Sequence, residues 1–173
     1  QTLKDHPDFA PQLDEETIDL LFKSTPLHDI GKVGIPDAIL LKPDKLSPDE
    51  FEIMKTHAAL GGEALYKAEE RLGSTSFLRI GREIAYTHHE KWDGSGYPQG
   101  LQEESIPISG RLMALADVYD ALISKRVYKP AFSHHKAKSI IVEGKGKHFD
   151  PTVVETFLQL EQEFMDIAAR LKD

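Results

Sequence analysis

The chain has 173 residues, 40% apolar and 29% charged, with no cysteine and a formal net charge of −8. That length suits one domain with a sizeable core, and no apolar run approaches the roughly 20 residues of a membrane span. The lack of cysteine excludes disulfides, thiolate nucleophiles, zinc fingers and iron–sulfur clusters, and the acidic balance argues against a DNA-binding surface. Any metal must therefore be held by nitrogen and oxygen. No secretory-type leader opens the chain, and Gln1 in place of Met suggests a fragment of a longer protein; a cytoplasmic location is expected.

Residues 1–8 read as the tail of a helix broken at Pro7. Asp14 suits an N-cap, Glu15 and Glu16 favour the first turn of the next helix, and Ile18, Leu21 and Phe22 supply its apolar stripe to about Ser24. Pro26 kinks or restarts that helix, leaving His28 and Asp29 at a helix end with Gly31 available as a left-handed stop. Residues 35–41 suggest a short helical turn. Ser47-Pro48-Asp49-Glu50 is the clearest start signal, a capping box with Pro at the first helical position. The helix it opens carries Phe51, Ile53, Met54 and His57. Gly61-Gly62 weakens the pattern before a second helical run, which Gly73 ends.

A further helix from about Thr75, with Phe77, Ile80, Ile84 and Ala85 on one side, delivers His88 and His89 at its C-terminal end. Residues 92–108 have no apolar period and several Gly and Pro, the mark of a long ordered loop, and such loops are usually functional. Residues 112–122 are apolar nearly all round, which predicts a buried helix whose Asp117 and Asp120 need partners. Ser133 caps a helix ending at Gly144, and Asp150-Pro151 opens the last one, through Leu171. His134 and His135 fall in a cap-and-surface context, His148 in a Gly/Lys-rich loop. Sustained period-2 alternation is missing, so the class is all-α with seven to nine helices.

His88-His89 begins a stretch of two imidazoles, two carboxylates and a Gly/Pro turn. Neutral imidazole is the commonest ligand for transition metals, and neighbours on a helix point about 100° apart, toward two ions or two sides of one site. Alone, the pair reads equally well as a surface feature, and His57 alone as a satisfied core histidine. Together His28, Asp29, His57, His88, His89 and Asp117 supply four imidazoles and two carboxylates, which fits a dinuclear centre.

Taken in order, His28-Asp29-Ile30-Gly31-Lys32, Ile35-Pro36-Asp37, Lys55-Thr56-His57, His88-His89-Glu90 with Trp92-Asp93-Gly94-Ser95-Gly96-Tyr97-Pro98, and Asp117-Val118-Tyr119-Asp120-Ala121-Leu122 resemble the HD-GYP family, a branch of the HD-domain phosphohydrolases, over residues 27–151. The resemblance implies an HD-domain helical bundle with a buried dinuclear site for two divalent ions of iron, manganese, nickel or cobalt. It implies hydrolysis of cyclic di-GMP to pGpG, and in some members on to GMP. His28, Asp29, His57, His88, His89 and Asp117 would be the ligands, with Asp29 bridging. Lys32 would contact the scissile phosphate, Arg126 and Lys129 would grip phosphates or guanine, and Asp120 would orient a ligand or touch substrate. Tyr97 and its loop would shape the pocket and meet partner proteins. A regulatory domain fused N-terminally is an expectation from the same resemblance.

The family also carries an upstream His, usually followed by Arg, that nothing here matches; His6 lies too close to His28. Two rivals stand beside the phosphodiesterase. One is a catalytically weak cyclic di-GMP-binding or docking module; the other is an HD hydrolase of different nucleotides, against which the GYP loop counts. Glu90 and Asp93 read equally as loop caps, Trp92 as a packing anchor or a base-stacking platform, and Arg111 as a buried salt-bridge partner.

Overall fold

Asp14 accepts from the Thr17 amide at 2.7 Å and so starts helix α1, Glu15–Ser24. At its end Ser24 is fully buried and its hydroxyl donates to the Phe77 carbonyl, tying α1 to a later helix. In this computed structural model, which describes residues 2–73, 75–124 and 131–170, the chain then makes two 3-10 turns, Thr25–Leu27 and Ile30–Gly34. His28 and Asp29 sit at the joint between them. After α2 (Asp37–Leu40) the capping box forms as expected: the Glu50 amide donates to Ser47 Oγ at 3.2 Å and the Ser47 amide to Glu50 Oε2 at 2.7 Å. It opens α3, Pro48–Leu72, which is followed by α4 (Ser76–Thr87), α5 (Ile108–Ile123), α6 (His134–Glu143), α7 (Pro151–Gln159) and α8 (Glu161–Arg170).

Among the described residues there is no strand, only an isolated bridge between Lys145 and Phe149. The all-α expectation holds. No described helix is long and apolar enough to cross a membrane.

Helix α4 lies between α3 and α5 and also meets α1. The main core joins α5, α6 and α7 with the N-terminal segment, through Leu115, Tyr119, Ile141, Val154, Phe157, Leu3 and Phe9. A smaller cluster of Ile80, Ile84 and Met113 binds α4 to α5.

Several local expectations are corrected. The start is a 3-10 turn, Thr2–Asp5, not the tail of a helix, and both Leu3 and Phe9 are buried in the core. Phe22 is 80% exposed, so the apolar face of α1 is Ile18 and Leu21. Gly31 is not among the residues of positive φ. It is required instead by contact: a Cβ there would meet the His57 carbonyl oxygen at 2.0 Å and the Gly61 amide at 2.4 Å. Likewise α3 runs unbroken through Gly61-Gly62, and Gly62 is required by contact, since a Cβ there would lie 2.2 Å from the Tyr86 ring. The two glycines bring α3 close to the Ile30–Gly34 turn and to α4 at a cost in helix propensity that packing offsets.

Helix α5 is not buried all round, since Ala116 and Asp120 are exposed and Asp117 is half-buried. The expected last helix breaks at Leu160 into α7 and α8, which returns the Phe164 ring onto Tyr119 and Phe157 at 5.3 and 4.8 Å. Leu171 lies outside the described residues.

Candidate metal centre

The tight joint at Gly31 sets Asp29 against α3, where His57 is buried, while α4 ends at His88 and His89. One ligand atom from each of Asp29, His57, His88 and His89 falls within 4.8 Å of the others. Three sequence-distant segments are thereby one cluster.

The imidazoles are pre-oriented through their outer nitrogens. Nδ1 of His28 donates to the Thr25 carbonyl at 2.8 Å, that of His57 to Met54 at 2.7 Å, and that of His88 to Ile84 and Ala85 at 3.0 and 3.1 Å. A carbonyl only accepts, so each Nδ1 carries a proton; Nε2 of His57 and His88 is turned to the cluster, an arrangement typical of ligating histidines, while Nε2 of His28 points at Asp29. His57 and His88 then present Nε2 lone pairs to each other at 3.4 Å with no proton between them. Two facing lone pairs repel, and a shared cation would relieve that repulsion.

Charge states agree. Burial, followed by the neighbouring His28 and His57, lowers the pKa of His88 to about 4; burial and His88 push His89 lower still, and burial also depresses His57. All three are neutral, the form that binds metal. Burial opposes ionisation of Asp29, but hydrogen bonds from His28 and Lys32 outweigh it and hold its carboxyl far below the usual range. Its two oxygens divide the site. Oδ2 receives Lys32 Nζ at 2.5 Å and His28 Nε2 at 3.2 Å, whereas Oδ1 faces His57 Nε2 at 3.4 Å and His88 Nε2 at 3.8 Å. For His28, burial disfavours the charge, but Asp29 overrides it and raises the pKa.

Asp117 lies within electrostatic reach of both His28 and Tyr97. The Tyr97 ring stacks on His89, centroids 4.8 Å apart, and its phenol is held neutral by burial and by Asp117 and Asp29. Thus the donors fit one or more divalent cations: imidazole nitrogens and carboxylate oxygens, without sulfur.

Beneath the loop, the fully buried Glu90 accepts from the Gln99 and Leu101 amides at 2.7 and 3.0 Å, and Asp93 accepts from Ser95, so both cap the loop. Arg111 pairs with Asp150 at 2.8 Å, both buried, with its guanidinium near the Phe9 and Trp92 rings. Trp92 is accordingly a packing anchor on that side. Asp120 is exposed and accepts from the Ser124 hydroxyl at 3.3 Å; the structure does not bring it into the four-residue cluster. Arg126 and Lys129 lie outside the described residues. Sequence reasoning gave no role to the Thr25, Met54 and Ile84 carbonyls, each three or four residues before its histidine, a spacing that signals the contact.

Known proteins resemble this chain in sequence and in fold. The HD domain family matches residues 10–153. A cyclic di-GMP phosphodiesterase of Vibrio cholerae is 65% identical over 167 residues, 96% of this chain and 34% of that protein. A 3′3′-cGAMP-specific phosphodiesterase of the same organism is 47% identical over 93% of this chain and 30% of its own length. The chain thus spans about a third of these curated relatives. The crystal structure of a cyclic GMP–AMP-specific phosphodiesterase from V. cholerae superposes with a TM-score of 0.61 at 22% identity, covering 95% of this chain and 45% of the other, and so shares the fold. With its HD pair, its clustered histidines and its Gly96-Tyr97-Pro98 loop, the chain belongs to the HD-domain family, in the HD-GYP branch.

Proposed function

We propose that this chain is a metal-dependent phosphodiesterase domain that hydrolyses cyclic di-GMP to pGpG in second-messenger signalling, with GMP the product if pGpG is cleaved in turn. The observation that carries the reading is the cradle of His57 and His88, whose neutral Nε2 atoms face each other at 3.4 Å beside the Asp29 carboxylate. Identity of 65% to a cyclic di-GMP phosphodiesterase supports the substrate.

In this proposal His28, Asp29, His57, His88, His89 and Asp117 hold two divalent ions of iron, manganese, nickel or cobalt. The split of Asp29 between two groups of partners supports a bridging role. Bound divalent ions would supply a water acidic enough to ionise near neutral pH, together with positive charge for the phosphodiester. The chain's own residues do the rest. Lys32, paired with Asp29 on the half-open side, is placed to exchange that partner for a phosphate oxygen as a point charge. Tyr97, neutral and stacked on His89, walls the pocket and offers its hydroxyl to substrate. Arg126, Lys129 and Asp120 are proposed as further substrate contacts, and the GYP loop as a surface for protein partners. No side-chain nucleophile is required.

A second reading is favoured by one finding: a relative 47% identical carries the name of a 3′3′-cGAMP-specific phosphodiesterase. Chromatography of reactions with cyclic di-GMP, 3′3′-cGAMP, pGpG and nucleoside triphosphates tests both. Preferential loss of cyclic di-GMP with pGpG and GMP appearing supports the proposal. Preferential loss of cGAMP supports the second reading, and binding without turnover of any of them supports a docking module.

A further inference from the structure

We propose that Phe51, Glu52 and Lys55 build a guanine-recognising subsite beside the metal centre, an inference that rests on the phosphodiesterase reading. A ladder of rings leads outward from the centre. His89 stacks on Tyr97 with centroids 4.8 Å apart and an interplanar angle of 29°, and Tyr97 meets Phe51 edge to face at 6.4 Å and 85°. Phe51 is 46% exposed on the helix's first turn. The ladder therefore ends in an open aromatic surface one ring beyond the residues that would hold the scissile phosphate, where a nucleotide's base would lie. Base–aromatic stacking is indifferent to which base it takes.

The neighbouring charges supply a preference. Lys55, one turn after Phe51, places Nζ 5.7 Å from the Phe51 ring centroid and 5.6 Å from that of Tyr97, and it pairs with Glu52 Oε2 at 2.7 Å. An ammonium donor thus lies over both rings, paired with a carboxylate acceptor, beside the exposed part of the stacking surface. Guanine offers the matching edges: acceptors at O6 and N7 for the lysine, N–H donors at N1 and N2 for the carboxylate. Adenine turns an amino group toward the lysine and loses the match. The Lys55–Glu52 pair is half open to solvent, with 26% and 68% of the side chains exposed, so both can turn to a ligand.

The test compares two phosphodiesters in metal-loaded protein. Phe51→Ala should raise KM for cyclic di-GMP about tenfold while costing far less kcat/KM on methyl p-nitrophenyl phosphate, which has no base. In calorimetric titrations GMP should bind more tightly than AMP, and Lys55→Met, which keeps the apolar stem, should reduce that preference about tenfold. Equal losses on both diesters, no loss on either, or an unchanged GMP-to-AMP preference in Lys55→Met overturns the subsite. Wild-type protein that cleaves neither diester contradicts the phosphodiesterase reading instead, and the GMP and AMP titrations then decide the subsite alone.

Discussion

Replacing Gly31 with alanine tests how the site is assembled. The new Cβ would lie 2.0 Å from the His57 carbonyl oxygen and 2.4 Å from the Gly61 amide, where ordinary contacts begin near 3.4 Å. Both opposing atoms are backbone in an unbroken helix and cannot rotate aside. The Ile30–Gly34 turn must instead withdraw from α3 by about 1 Å or more, carrying Asp29 away from His57. Overpacking of this kind costs about 1–3 kcal/mol, which for a chain of this size lowers Tm by about 2–4 °C per kcal/mol. The larger effect falls on the cluster, because misplacing Asp29 weakens Mn²⁺ binding by about 10- to 100-fold. Thermal denaturation of metal-free protein reads the first effect and calorimetric titration with Mn²⁺ the second. A variant with wild-type Tm and wild-type Mn²⁺ affinity would refute the claim that contact at Gly31 positions Asp29.

Arg111→Ala leaves Asp150, the buried N-cap of α7, without its cation, and urea denaturation should show a loss of about 3–5 kcal/mol; a loss under about 1 kcal/mol would show that the pair is not structurally required. Ser47→Ala removes one arm of the capping box, for about 1 kcal/mol of stability and a Tm lower by a few degrees. His148, stacked on Phe149, has its pKa lowered from 6.5 to about 4, by burial first and then by Lys91. Between those values the unfolded chain binds the extra proton, so its contribution is full above pH about 6.5 and is lost as pH falls toward about 4. His148→Phe should make metal-free stability fall less steeply over that range, and an identical slope contradicts this sign.

Most of the cluster is legible in the sequence because a ligand set is written in residue types: His28-Asp29, His57 and His88-His89 are unusual enough together to be read before any fold is known. Caps are legible for a related reason, since Ser47 and Glu50, or Asp14 and Thr17, act within one turn. What the sequence hides is contact between distant segments. Gly31 looks the same whether glycine serves a left-handed turn or a close approach, and its contact partners lie some thirty residues away on α3. Gly61-Gly62 reads as a break for the same reason. Exposure is hidden likewise: Asp117 and Asp120 look equally buried in an apolar run, yet Asp120 is exposed, whereas Asp117 is half-buried within electrostatic reach of His28. That Phe51 borders Tyr97 and is half exposed is equally hidden until α3 is placed.

The central claim is that Asp29 and the facing imidazoles hold the ions on which cyclic di-GMP hydrolysis depends. It is tested most directly by loading anaerobically purified protein separately with Mn, Fe, Ni, Co and Mg, and measuring bound metal and cyclic di-GMP turnover in the same samples. The account predicts turnover at about two transition-metal ions per chain, with both metal and turnover lost in Asp29→Ala. Chains that carry two ions and bind cyclic di-GMP yet leave it intact would contradict it.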